Sequence, residues 1–160
     1  MLKWWLSDYY NCLGQFHLRR RGKGVMIHHT VKIDHPQNVE ILENSRIDKN
    51  GRLRGRGDIM IWNNTQIAED FFCISENHND FKIYAPYKER FKKKIVIGNN
   101  VWIGANVTIL GGTVLQDGCV VGAGSVVRGQ FKKNELIIGN PAKVVKNLGK
   151  KRIIHRVATL

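Results

Sequence analysis

Residues 97–127 read IGNNVWIGANVTILGGTVLQDGCVVGAGSVV, and they divide cleanly into IGNNVW, IGANVT, ILGGTV, LQDGCV and VGAGSV, followed by Val127. The first position of each hexapeptide is aliphatic: Ile97, Ile103, Ile109, Leu115, Val121, then Val127. The fifth is Val101, Val107, Thr113, Cys119 or Ser125, small or β-branched in every case. Glycine and asparagine crowd the positions between, where a chain must turn or another strand approaches closely. An amphipathic helix repeats its apolar stripe at three and four residues, and a hairpin meander alternates every two. Strict spacing by six excludes both. It fits a coil with flat faces, in which three hexapeptides close a triangular turn and successive turns stack as parallel strands. A single hexapeptide can neither bury its aliphatic residue nor pair its backbone, whereas stacked turns do both.

Towards the N-terminus the same frame continues with interruptions. Ile61, Ile67 and Cys73 hold first positions, with Thr65 and Phe71 at the fifth. Ile41, Ile47 and Leu53 form an earlier block two residues out of phase, and Ile27, Ile33 and Val39 open the series. The expected fold is therefore all-β, a parallel β-solenoid over residues 25–147. Residues 1–24 form an N-terminal extension or cap, and 148–160 a C-terminal tail.

The one long departure begins at ISENHND, residues 74–80, and runs through SENHNDFKIYAPYKERFKKK, residues 75–94. This segment is polar, basic and carries Pro86, so it is expected to leave the coil as a protruding loop. A solenoid does no chemistry by itself, and departures from its repeat are where a site is sought. His78 stands where the coil opens into the loop. Taken alone, a surface histidine is most simply a solvated side chain. An imidazole held at such a junction is also a suitable general base, because it titrates near neutrality.

Composition limits the partners. The chain has 160 residues, 42% hydrophobic and 24% charged, with a formal net charge of +13. Such a chain folds into a globular core and favours anionic partners. No groove-reading motif accompanies the charge, so nucleic acid is not the expected ligand. Cys12, Cys73 and Cys119 are too scattered for a disulfide framework or a zinc site and are expected as buried free thiols. His28, His29 and His35 lie far upstream of His78, a poor set for a metal, and no metal is expected. No apolar run suits a signal peptide or a membrane span, so a cytoplasmic protein is expected. Trp4, Trp5, Tyr9, Tyr10 and the RRRGKG that follows read either as a cap on the solenoid or as a contact with the inner face of a membrane.

IGNNVWIGANVTILGGTVLQDGCVVGAGSVV, followed by IIGNPAKVVK, resembles the signature of the hexapeptide-repeat acetyltransferases of the galactoside, maltose and polysaccharide O-acetyltransferase type. The resemblance covers most of residues 25–147. It implies a left-handed parallel β-helix, assembled as a homotrimer with active sites between subunits. It implies acetyl-CoA as co-substrate, a sugar or glycan-precursor hydroxyl as acceptor, and His78 as the general base; Glu76 and Asp80 are candidates to orient it from their proximity in sequence alone. Carried over position by position, Ala105 in WIGA offers a backbone donor to the developing oxyanion. Trp102 either walls the acyl site or packs as an outer-face aromatic at the trimer interface, Ala123 in GAGS approaches the pantetheine arm, and Lys143 and Lys146 meet the phosphates or adenine. Arg128 and Gly129 depart from the threonine–lysine frequent in the galactoside type, and Arg128 can still meet a phosphate. Asp48 falls near a position that grips the acceptor in the galactoside type. Arg56 reverses the acidic character expected at another, so acceptor identity does not carry over. The implied role is O-acetylation of a sugar in surface-polysaccharide biosynthesis. The alternatives are another small acceptor, such as an antibiotic, amino sugar or serine-like molecule, or a basic solenoid that only binds.

Overall fold

The computed structural model describes residues 17–78 and 90–149 of the chain. Much of the N-terminal extension, the outer part of the loop and nearly all of the C-terminal tail lie outside these residues. The first turn of the coil holds strands β1 (Arg20–Arg21), β2 (Met26–Ile27) and β3 (Lys32–Asp34). The second holds β4 (Val39–Ile41), β5 (Arg46–Ile47) and β6 (Arg52–Arg54), and the third β7 (Ile59–Ile61), β8 (Gln66–Ile67) and β9 (Phe72–Ile74). A hairpin of β10 (Glu76–His78) and β11 (Arg90–Lys92) then leaves the coil. The fourth turn is β12 (Ile95–Ile97), β13 (Trp102–Ile103) and β14 (Thr108–Leu110); the fifth is β15 (Val114–Leu115), β16 (Val120–Val121) and β17 (Val126–Val127). Strands β18 (Gln130–Phe131) and β19 (Glu135–Gly139) begin a sixth turn, and β20 (Ala142–Asn147) folds back antiparallel on β19.

Every pairing between turns is parallel, so the strands stack into three flat faces of a β-solenoid. Face I is β1-β4-β7-β12-β15-β18, face II is β2-β5-β8-β13-β16-β19-β20, and face III is β3-β6-β9-β14-β17. Each face sends one aliphatic column inward. Ile41, Ile61, Ile97, Leu115 and Phe131 stack on face I. Ile27, Ile47, Ile67, Ile103, Val121 and Ile137 stack on face II. Ile33, Leu53, Cys73, Ile109 and Val127 stack on face III. Nearly all are excluded from solvent. Each buried Ile or Leu contributes about 1.5–3 kcal/mol of apolar transfer. Ile103→Val, which removes one methylene from the middle of a column, is expected to cost about 0.5–1.5 kcal/mol in denaturant unfolding.

The fifth positions are buried too, and their polar members satisfy the backbone. Ser45 Oγ donates to the Trp62 carbonyl at 2.7 Å, and Thr65 Oγ1 to that of Gly98 at 2.8 Å. Phe71 is the bulky exception and is fully buried; Gly51 holds the equivalent place one turn earlier. At the corner between faces I and II the chain turns through left-handed residues, Asn44, Asn64, Asn100, Gly118 and Asn134, which explains the Asn and Gly content there. Cys73 and Cys119 are free buried thiols, and burial pushes both above the usual thiol range. Among the described residues no helix is long and apolar enough to cross a membrane.

The phase slips seen in the sequence all fall at one place. From face I to face II the inward columns step by six, as from Ile41 to Ile47 or Ile97 to Ile103, and from face II to face III likewise. From face III to face I the chain instead runs from Ile33 to Ile41, Leu53 to Ile61, Cys73 to Ile97, Ile109 to Leu115 and Val127 to Phe131. These five segments differ in length while the two faces they join stay in register. One edge of the prism therefore absorbs every insertion and deletion, and the hairpin leaves from that edge.

Candidate active site

The irregular edge is built around Ser75, which is fully buried. Its hydroxyl donates to the Arg54 carbonyl at 2.8 Å and accepts the Gly57 N–H at 2.8 Å, and its carbonyl accepts the Lys93 N–H at 2.9 Å. The residue thus ties the departing and returning legs of the hairpin to the turn before them. Glu76 follows, buried beside two arginines. Arg54 Nη2 donates to Oε1 at 2.6 Å, while Arg56 Nε lies 2.7 Å from Oε2 as an ion pair outside hydrogen-bond alignment. A buried carboxylate is tolerated where cations offset its lost hydration, and two guanidinium groups do so here. Arg54 also lies 3.9 Å from Asp34, which accepts from Arg52 at 3.0 Å, so the charges form a chain along the edge.

His78 closes strand β10, where its backbone pairs opposite Arg90. It belongs to a paired strand rather than to a loose loop. Beside β10 a cavity of about 260 Å³ opens, lined by Ile74, Glu76, Asn77, Lys93, Leu110, Gly111 and Arg128. Ile74 and Leu110 are neighbours in the same face III column and give the cavity an aliphatic floor. The remaining wall is polar and basic. A cavity with an apolar floor and a few convergent polar groups is the usual form of a small-ligand site.

The other candidate residues gather elsewhere. Trp102 projects from face II, 40% exposed and in register with Gln66 and Val120. Ala105 and Ala123 occupy the corner between faces II and III in successive turns, joined by the Gly124 N–H donating to the Ala105 carbonyl at 2.9 Å. Among the described residues the Ala105 N–H meets no acceptor. Glycine is required beside them, since a Cβ on Gly104 would lie 2.7 Å from the Ala123 nitrogen. Lys143 and Lys146 are exposed on β20, which extends face II. Asp48 stands at the corner between faces II and III, where Arg46 Nε donates to it at 2.9 Å. His28 sits in the same corner one turn earlier; its Nδ1 accepts the Thr30 N–H at 3.2 Å, and burial pulls its pKa below the usual imidazole range. Among the described residues no three His, Cys, Asp or Glu side chains converge on a metal position.

Within one chain, then, the candidate residues form two groups separated by the width of face III. His78 and Arg128 lie at the irregular edge; Trp102, Ala105, Ala123, Lys143, Lys146 and Asp48 lie on face II or its corner with face III. Arg54, Ser75, Asn77 and Leu110 were not evident from sequence reading. Their signal is register: Arg54, Ile74 and Leu110 share one column only once the pairing of β6, β9 and β14 is known.

Residues 94–129 match the family model described as bacterial transferase hexapeptide (six repeats). That stretch, under a quarter of the chain, carries the repeat of this hexapeptide family. Among curated relatives, it is 40% identical over 97 residues to WbbJ of Escherichia coli (strain K12), named for O-acetyl transfer in lipopolysaccharide biosynthesis. That match covers 55% of this chain, which spans half the length of the relative. Among solved structures, the hexapeptide coil matches a maltose O-acetyltransferase from Clostridium difficile 630 with a TM-score of 0.74 and 24% identity, over 89% of this chain and 82% of that one. It matches a galactoside acetyltransferase in complex with coenzyme A with a TM-score of 0.71 and 24% identity, over 82% of this chain and 66% of that one. At such identities the likeness to these structures is one of fold.

Proposed function

We propose that this hexapeptide protein is an acetyl-CoA-dependent O-acetyltransferase that acts on a sugar hydroxyl in surface-polysaccharide biosynthesis, with His78 as general base. The observation that supports this most is the cavity beside β10, placed at the one edge where the coil departs from its repeat. The names of WbbJ and of the maltose and galactoside enzymes point the same way.

In this reading the acceptor hydroxyl enters the cavity over Ile74 and Leu110. The His78 imidazole takes its proton as the oxygen attacks the thioester carbonyl. The C–O bond forms, the C–S bond breaks, and the proton passes from His78 to the departing CoA thiolate. The Ala105 N–H serves as a donor to the tetrahedral oxyanion, the role of preorganised backbone donors in acyl transfer. Ala105 and His78 occupy different corners of one chain, so the complete site takes them from two neighbouring copies in a homotrimer. Trp102 and Ala123 line the cofactor side of that groove, and Lys143 and Lys146 receive the anionic end of CoA. The reaction belongs to the cytoplasm, and the N-terminal aromatic and basic sequence is read either as a cap on the coil or as a contact with the inner membrane face.

Two measurements test the reading. Calorimetry should show acetyl-CoA binding and no binding of an oligonucleotide; the reverse result would leave a basic binding protein. Thiol release across sugars, nucleotide sugars and amino acids should single out a sugar, and turnover of an amino acid instead would move the acceptor to another class. Lys146→Ala is expected to weaken acetyl-CoA binding about threefold to tenfold, as loss of one exposed phosphate contact does, with a smaller effect on saturated turnover.

A further inference from the structure

The cavity carries a charge for which acetyl transfer to a neutral sugar has no use. Lys93 and Arg128 both line it, and among the described residues neither meets a carboxylate. The acid in the lining, Glu76, is already matched by Arg54 and Arg56. Among the described residues the cavity therefore presents two cations without an acidic partner over an aliphatic floor. Lys93 is also well placed. Its backbone is tied to Ser75, its Cβ lies 3.3 Å from where a side chain on Gly111 would begin, and its Cδ lies 3.4 Å from the same point on Gly112. Two glycines thus make a bed for the aliphatic stem, and the ammonium is carried past them.

The geometry points to an anionic acceptor: Lys93, with Arg128, receives a phosphate or carboxylate borne by the sugar that is acetylated. This inference rests on the acetyl-transfer reading above. The end of acetyl-CoA that must reach β10 is an uncharged thioester on an uncharged pantetheine arm. That arm is longer than a cavity of about 260 Å³ is wide, so the CoA phosphates lie beyond the cavity when the thioester is beside His78. The cations facing the reacting end are left for the other substrate, which takes Arg128 away from the CoA phosphates to which the family resemblance carries it. A compact ammonium and a guanidinium fork are both suited to oxyanions, and a partly enclosed site strengthens their pull.

The test is steady-state acetylation, followed by thiol release, of matched acceptors: a neutral hexose, its 1-phosphate, its nucleoside diphosphate derivative and the corresponding uronic acid. A kcat/KM at least about tenfold higher for one or more anionic members supports the proposal, and the preferred member separates phosphate from carboxylate. Lys93→Met, which keeps the stem on its glycine bed, should raise KM for that acceptor about tenfold while KM for acetyl-CoA stays within about twofold. The preference should also weaken as salt rises. Equal use of neutral and anionic sugars, acetylation of neutral sugars alone, or no acetylation of any member overturns the proposal. A Lys93→Met effect confined to the acetyl-CoA KM overturns it as well and assigns the cation to the cofactor. Acetyl-CoA binding by calorimetry shows separately whether the acetyltransferase reading has fallen with it.

Discussion

Turnover of the His78→Ala variant is expected to fall about a hundredfold or more, as loss of a general base implies, while acetyl-CoA binding is kept. The two effects separate because the residues proposed to hold CoA stand on face II and its corner with face III, away from β10. A hydroxyl has almost no nucleophilic character until its proton is removed, and among the residues of β10 only His78 carries an imidazole. Single-turnover acetylation with saturating acetyl-CoA, paired with calorimetry, reads the two quantities independently. Unchanged turnover would remove His78 from the chemistry, and the cavity would then have to work by positioning alone. The variant should melt with the parent protein, because His78 lies on the hairpin and outside the aliphatic columns.

The second large effect is expected at Gly57, which touches no substrate. A Cβ there would overlap the Ser75 carbonyl oxygen and lie 2.8 Å from the Lys93 nitrogen and 3.1 Å from the Lys92 Cα. All three are backbone atoms, one on the outgoing leg of the hairpin and two on the returning leg, so no side chain can swing aside. Gly57→Ala must push both legs off the coil or break the Ser75 hydrogen bonds that hold them. Overpacking of this kind costs about 1–3 kcal/mol, occasionally more. Because β10 carries His78 and Lys93 follows β11, acetylation is expected to drop by tenfold or more, beyond what the lowered melting temperature explains. Gly124→Ala makes the contrast. A Cβ there meets nothing within 4 Å, and only its φ of 70° opposes the change, a cost of about 1 kcal/mol. If both variants kept full activity, the clamp around Ser75 would not position the site.

Much of the fold was legible in the sequence because its physics is local and repeated. A face that returns every six residues needs an inward aliphatic residue at every return, and Ile97, Ile103 and Ile109 declare that period without any partner in view. The slips of phase were visible too, as Ile41 following Val39 and as the long gap after Cys73. Their meaning was not. Only the pairing of Ile33 with Leu53 and of Leu53 with Cys73 shows that the slips stack on one edge, because register is a relation between turns. The site divides in the same way. His78 stood out as an imidazole at the break in a pattern. The arginines that match Glu76 come from the preceding turn, and the glycines that bed Lys93 come from the next; sequence distance hides both.

The sequence by itself determined the period, the inward ladder, the place of the interruption and the histidine beside it, since each follows from residue type and spacing along one strand. The tertiary structure decided which residues from separate turns share an edge. It placed the Glu76 ion pairs there, the cavity over Ile74 and Leu110, and two cations lining that cavity that meet no carboxylate among the described residues. Stacking makes residues about twenty positions apart into neighbours one strand spacing away, and that spacing, not their order in the chain, sets the charge and shape of the site.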